Sequence, residues 1–526
     1  MTWNLGYNTD LGYTYGYYRE QDPSWLDLCA LIKGAAPPSL WAGDQLRYLE
    51  LGCGQGLNLC LIAACHPQIE FVGIDFNPQH IAHAQRLAHT AGLHNVRFIE
   101  GNFVELGRAW PAELGRFQYA SAHGILSWIG RTARDGLYAC LDAALLPGAL
   151  GYFSYNTLPG WLSTLPVQHL LRLWQTREGL SSLKAIELGR ARFETMIQVN
   201  AAMCRVLPAM RARIGQLAKH DRSYLVNEYL HEEWTAFWFD ELAAEMSPHK
   251  LTYLGTAAAG DWYLPVMLLP DWRAILNQYE DPIIRETMFD VLINQSFRRD
   301  LWIKGQTPLW LEDQRQAILN RRCVLLNRPQ PKAEGQNPYQ FNTSLGEIQG
   351  KPEVYGPLYE AVAAGPKTIA ELMHVPVGTP ATGATPAANL TLGDVLKAVG
   401  LMLHAGHIAL VHEVKSDKPA KSLNRTIFNA VLAGGPYRHV IASALPWVLM
   451  VSDVDLMLCG LYLANPKVNA QQLAGLWVDR LSSLGRGLIH EGQSLTSRET
   501  MLPRAQELAT VFIERTFPTW QRLGVI

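Results

Sequence analysis

The stretch Leu49-Glu50-Leu51-Gly52-Cys53-Gly54-Gln55-Gly56 decides how the 526-residue chain is read. A short apolar run breaks there into glycines, and a helical apolar segment, 57–65, follows. This is a strand joined to a helix by a loop whose glycines let the backbone approach a ligand closely. A dinucleotide fold asks for Gly-x-Gly-x-x-Gly, but position 57 is Leu57, and the spacing here is Gly-x-Gly-x-Gly behind an acid, which disfavours NAD. Outward from the loop, apolar runs recur at 48–51, 71–74, 96–99, 117–122 and 150–155, with amphipathic helical segments 79–91 and 132–145 among them. That alternation belongs to βαβ units, so an α/β domain with a parallel sheet is expected. Before it, Ser24 and Asp27 are expected to form a capping box on a helix reaching about Lys33.

The Glu-x-Gly-x-Gly-x-Gly form resembles motif I of the class I S-adenosylmethionine (SAM) methyltransferases, which implies a Rossmann-like sheet with SAM as cofactor, held by Glu50, Gly52, Cys53, Gly54 and Gly56. Asp75 ends the second strand nineteen residues after Gly56, where an acid can accept both ribose hydroxyls. Phe76 can then lie against adenine. Asn102 stands where the class I pattern has an acid or amide for the adenine amino group, with Phe103 beside it. Core packing is the competing reading for both phenylalanines.

The loops after the fourth and fifth strands, 122–129 and 153–161, lie outside the carboxyl ends of the sheet, where open parallel sheets build active sites. His123 either touches the cofactor and orients or deprotonates the acceptor, or holds its loop through a backbone hydrogen bond. Tyr18, Tyr155 and Asn156 join it as acceptor-side candidates. No Asn-Pro-Pro-Tyr occurs, which disfavours adenine N6 and glutamine methylation, and the lack of Asp at position 123 disfavours metal-dependent catechol-type transfer. No metal is expected: His231 to Thr235 lacks the second histidine of a zinc protease helix and reads as a helix surface, and His80 with His83 reads as a solvated face.

Composition narrows the partners. With 48% hydrophobic and 17% charged residues the chain is a folded globular protein, and a formal net charge of -2 supplies no global field for nucleic acid or anionic lipid. Eight cysteines without a CxxC pair suit reduced cytosol. The first residues lack a signal-peptide pattern, and the most apolar stretch, 440–463, is interrupted by Pro446, Asp453 and Asp455. A soluble, cytoplasmic protein with neither membrane nor nucleic acid as partner is expected.

Tyr7-Asn8-Thr9-Asp10, Tyr13, Tyr17-Tyr18-Arg19-Glu20 and Pro23, the glycine loop, His123-Gly124 with Ser127-Trp128, and Ser154 to Trp161 together resemble the bacterial methyltransferases with a regulatory domain, among them rickettsial protein-lysine methyltransferases. The resemblance implies a protein substrate, with a lysine amine as acceptor, and a homodimer. Methylation of a glycan or small metabolite is the runner-up, and a SAM-binding regulatory protein the third reading. The expected divisions are 1–161, a tyrosine-rich lid with Tyr18 and Arg19 over the SAM-binding core; 162–246, a helical insertion that regulates and dimerises; 247–326, completion of the sheet by strands at 251–254 and 300–303; 327–352, a linker; 353–414, a winged-helix-like domain; and 415–526, a helical end. Residues 351–413 carry three lysines against five acids, which suits protein docking better than DNA.

Overall fold

The computed structural model describes residues 6–12, 15–43, 46–217, 219–378 and 389–526. Tyr13 and most of the loop from 375 to 390 lie outside the described residues. Seven strands, β1 (Arg47–Leu51), β2 (Glu70–Asp75), β3 (Val96–Glu100), β4 (Phe117–Ala122), β5 (Leu145–Asn156), β6 (Leu251–Thr256) and β7 (Phe297–Lys304), form one sheet in the order β3-β2-β1-β4-β5-β7-β6. The first five run parallel, and β7 is antiparallel to both β5 and β6. The two late strands expected from the sequence therefore complete the sheet, and the helices that follow β5 are inserted before β6.

The two-residue period of the strands sorts the core. On one face Tyr48, Phe71, Tyr119, Leu150 and Tyr152 pack with the helices Pro23–Ile32, Leu57–Cys65 and Pro78–Ala91, and this cluster continues into the carboxy-terminal half as far as Val525. On the other face Leu49, Leu51, Val72, Phe153 and Tyr155 pack with the helices Arg131–Ala144 and Phe239–Met246. The inserted helices enclose a third core of their own around Leu171, Phe193 and Met210, with Leu170, Trp174, Met196, Ile197 and Leu207 against it. Leu173 and Val199 of this insertion are left exposed, at 39% and 69%.

Several local readings are corrected. The helix Pro23–Ile32 is capped by Asp22, which accepts from the Ser24 amide at 2.8 Å, while the Asp27 carboxylate is buried and accepts from the Tyr119 hydroxyl at 2.8 Å. No helix runs from Trp234: the backbone is extended there because Phe237 pairs with Asn156 and Leu158 beyond the end of β5, and the helix starts at Phe239. His231 is no helix-surface residue, being 0% exposed in that break. Nor are His80 and His83 solvated: His80 is buried 3.3 Å from Asp75, and His83 bridges the Gln55 carbonyl and the Tyr437 hydroxyl, each at 2.7 Å.

Within the expected linker, Gln340–Thr343 and Gly346–Gln349 form a hairpin that buries Phe341 against Tyr355. The next segment has three helices, Pro352–Ala363, Ile369–Met373 and Leu392–His404. Its three-stranded sheet takes its central strand, Arg322–Leu325, from before that hairpin, flanked by Lys367–Thr368 and Ile408–Val411. The winged-helix likeness is thus one of helix order. Beyond it the helix Lys418–Leu432 packs on Leu57–Cys65 and Pro78–Ala91, so the carboxy-terminal half backs onto the helices that follow β1 and β2. No helix among the described residues is long and apolar enough to cross a membrane.

Candidate active site

The glycine loop leaves β1 through three left-handed residues, Gly52, Gly54 and Gly56, at φ 78°, 53° and 77°. Gly56 has a second reason to lack a side chain: a Cβ there would lie 2.4 Å from the Ala84 Cβ and 2.9 Å from the Phe98 ring. The loop is tied to β2 by Asp75, whose two carboxylate oxygens accept from the amides of Gly54 and Asn77, both at 2.9 Å. Oδ2 keeps a further lone pair, while Oδ1 is also faced by His80 Nδ1 at 3.3 Å. A cavity of about 470 Å³, counting its mouth, opens over the loop between Gly52, Gly54, Glu50, Gln21, Asn58 and Tyr18.

Glu50 is the unusual wall of this cavity. It is 4% exposed and its Oε2 has no hydrogen-bond partner. Burial pushes its carboxyl up to about 8, with Asn58 opposing and Asp75 adding to the shift. A lone buried carboxylate in a pocket is satisfied by a cation, which is what the ammonium of an amino-acid-like ligand would bring.

Tyr18 and His123 form the partition on the far side, their rings stacked at 3.7 Å. The Tyr18 amide is held by Asn58 at 3.0 Å, and His123 Nδ1 meets the Tyr152 hydroxyl at 2.9 Å and Ser154 Oγ at 3.0 Å. Burial, with Arg299 nearby, pushes His123 down to about 3. At neutral pH it is an uncharged imidazole whose Nδ1 sits among hydroxyl groups, a role that fits positioning and does not fit a base. The expected backbone bond is replaced by these two side chains.

Beyond the partition lies a second, wider cleft of about 860 Å³ with its mouth, bounded by Trp128, Asn156, Trp161, Tyr224, Glu228 and Phe297, and by Arg213 and Arg299. Glu228 is 6% exposed, with Oε1 accepting from Asn156 Nδ2 at 3.2 Å. Burial raises its carboxyl to about 7, the nearby Arg213 and bonds from Asn156 and Tyr224 opposing. Arg213 is spread over the Trp161 ring at 4.5 Å and donates to the Tyr229 hydroxyl.

The candidates divide accordingly. Glu50, Gly52, Cys53, Gly54, Gly56 and His123 line the cavity over the loop, and Tyr18, His123 and Asn156 line the cleft. Tyr155 does neither. It points to the opposite face of the sheet, where its hydroxyl donates to the buried Asp300, because successive residues of β5 alternate sides. Asn102 caps the helix Phe103–Arg108 by accepting from the Val104 amide at 2.8 Å, and Phe103 packs on the second core. Phe76 meets Tyr7 edge-on at 5.6 Å, so the amino-terminal strap lies over the Asp75 side of the loop. Arg19 turns away from both spaces and donates to the carbonyls of Leu403 and His404.

The sequence reading missed Glu228. Its signal was an acid among Leu225, Val226 and Tyr229 in a helix, Arg222–Tyr229, buried on several sides. Gln21 and Asn58, which position the strap against the loop, had no signal beyond their place in the chain.

A family model described as a methyltransferase domain matches residues 42–134, and one described as a predicted methyltransferase regulatory domain matches residues 221–304. The latter stretch contains β6, β7, Glu228, Phe297 and Arg299, so it both completes the sheet and walls the cleft. An uncharacterized protein of Synechocystis sp. is 31% identical over 529 residues, covering 100% of both chains. An uncharacterized protein of Rickettsia prowazekii is 27% identical over 285 residues, which covers 54% of this chain and 50% of that one. Among solved structures, PKMT2 from Rickettsia typhi in complex with AdoHcy matches 97% of this chain and 99% of that one at a TM-score of 0.67 and 17% identity, a likeness of fold. An end-to-end match at 31% identity with the Synechocystis protein, taken with the two family models and the fold, places this chain in the family of methyltransferases that join a methyltransferase domain to a methyltransferase regulatory domain.

Proposed function

We propose that the protein transfers a methyl group from SAM to a protein side chain, with a lysine amine as acceptor. The observation that supports this reading is the meeting of two spaces across Tyr18 and His123: a narrower one over the glycine loop and a wider one lined by aromatic rings. In the first, Gly52 and Gly54 face the methionine half of SAM and Glu50 receives its ammonium, while Asp75, which is buried behind the loop and does not line this space, receives the ribose hydroxyls where the ligand runs on past Gly54. Asn102 stands beyond Asp75 for the adenine, with Tyr7 over the ribose. The sulfonium brings an activated methyl, so the residues of this chain contribute alignment and exclusion of water. Incubation of the protein with tritiated SAM and cell fractions tests the reading. Label in protein bands supports it, and label confined to solvent-extractable material replaces it with a glycan or metabolite acceptor.

Glu50 gives the binding step a pH dependence. Its carboxyl is protonated below about 8 in the free protein, and a cofactor ammonium beside it favours the ionised form. Binding then releases a proton, so affinity is expected to rise several-fold between pH 6 and 7.5. The rise ends as the cofactor's own amine loses charge, near ~7.7 to 8.0 for an α-amino group. Calorimetry in buffers of differing ionisation enthalpy measures this. Proton release that persists in Glu50→Gln would move the assignment to another group.

A further inference from the structure

We infer that Glu228 takes the proton from a primary ammonium group presented in the aromatic cleft. The inference rests on the amine reading above and names the residue that makes such an acceptor reactive. A lysine amine arrives protonated, its ordinary pKa being ~10.4, and has no lone pair for a methyl carbon until that proton leaves. His123 stands at the partition but is held down to about 3, so it is a poor proton acceptor near neutrality. Glu228 is the carboxylate among the residues that bound the cleft. The cations around it are engaged elsewhere: Arg213 lies on the Trp161 ring with a bond to Tyr229, and Arg299 is 3.8 Å from Glu20. Asn156 fixes one Glu228 oxygen and Tyr224 also bonds the carboxyl, and an ionised carboxylate with about four acceptor sites keeps others to receive a ligand. Trp128 and Tyr224 add aromatic rings to the lining, of the kind that attract an ammonium and shed its water.

The step balances simply. The N–H bond of the ammonium breaks and an O–H bond forms on Glu228, turning the carboxylate into the acid. The freed nitrogen pair forms the N–CH3 bond as the C–S bond of SAM breaks, its electrons passing to sulfur. Products are S-adenosylhomocysteine and a methylammonium, and the proton on Glu228 returns to water through the cleft. The carboxyl of the free protein, raised to about 7 by burial, is poised for this exchange near neutral pH. The charged and titratable groups that face it are Arg213, Tyr224, Tyr229, Tyr18, His123 and Arg299.

Glu228→Gln keeps the shape and the Asn156 contact and removes the base. With the full chain, tritiated SAM and heat-treated bacterial protein as acceptor, its initial rate at pH 7 is expected to fall about a hundredfold, the lower end for general bases. The deficit is expected to shrink below tenfold by pH 9.5, where free amine becomes available without a base. A deficit equal at every pH overturns the inference, since a structural role would not depend on free amine. The amine reading is judged separately on wild type: acid hydrolysis must release label as methyl-lysine, and label in any other product ends both. A titration that needs no acceptor accompanies these. The infrared carboxyl band lost in Glu228→Gln should titrate between pH 6 and 8 in the wild type, and a midpoint below 5 would also overturn the inference.

Discussion

Replacing Arg298 by methionine is expected to cost about 3 to 5 kcal/mol of folding stability, the range found when one partner of a buried ion pair is removed. The guanidinium is 5% exposed and reaches Asp290 at 2.7 Å, Asp300 at 2.8 Å and Glu286 at 2.9 Å. Asp290 and Asp300 are each 1% exposed, so without Arg298 two carboxylates stand in the interior with no cation. Burial already raises Asp290 to about 7 with the arginine present. The loss falls where it matters for function, because Arg298 pairs with Tyr155 across β5 and β7, and Phe297 and Arg299 beside it wall the cleft. Guanidinium unfolding followed by far-ultraviolet ellipticity measures the effect on the first transition. A loss under about 1 kcal/mol, the usual size for exposed pairs, would mean that the cluster contributes little. Arg192→Ala, which breaks an exposed pair with Glu178, is the control and should leave the transition where it is.

Asp75→Ala is expected to weaken SAM binding by roughly tenfold to a hundredfold. Charge-assisted hydrogen bonds are worth about 1.5 to 3 kcal/mol, and each 1.4 kcal/mol is a decade in affinity. Two effects combine. The ribose hydroxyls lose their acceptor, and the Gly54 and Asn77 amides lose theirs, which loosens the loop that faces the methionine half. Calorimetric titration with SAM checks it, with the thermal midpoint as the control for folding. Affinity equal to wild type would remove Asp75 from the cofactor site.

Much of this arrangement is written locally in the chain and is legible there. The strands of the sheet follow from apolar runs of strand length, and the glycine loop from a spacing that backbone geometry enforces at Gly56. Asp75 follows because the end of β2 must lie beside the end of β1 in a parallel pair. What escaped depends on distant contacts. Tyr155 was assigned to the site from its position near a strand end, but the two-residue period puts Ser154 and Asn156, and not Tyr155, on the side of the cleft. Glu228 lies 72 positions from Asn156, and nothing local announces that meeting. His83 reads as solvated until Tyr437, 354 positions away, closes over it. The hairpin around Phe341 was hidden by a segment whose proline, asparagine and glutamine content suggested a linker.

A crystal structure of the full chain with S-adenosylhomocysteine bound tests the central claim most directly. The homocysteine amine is expected beside Glu50, the ribose on Asp75, and the sulfur turned past Tyr18 and His123 toward Asn156 and Glu228. A ligand seated away from the glycine loop, or a sulfur facing any space other than the Glu228 cleft, would contradict it.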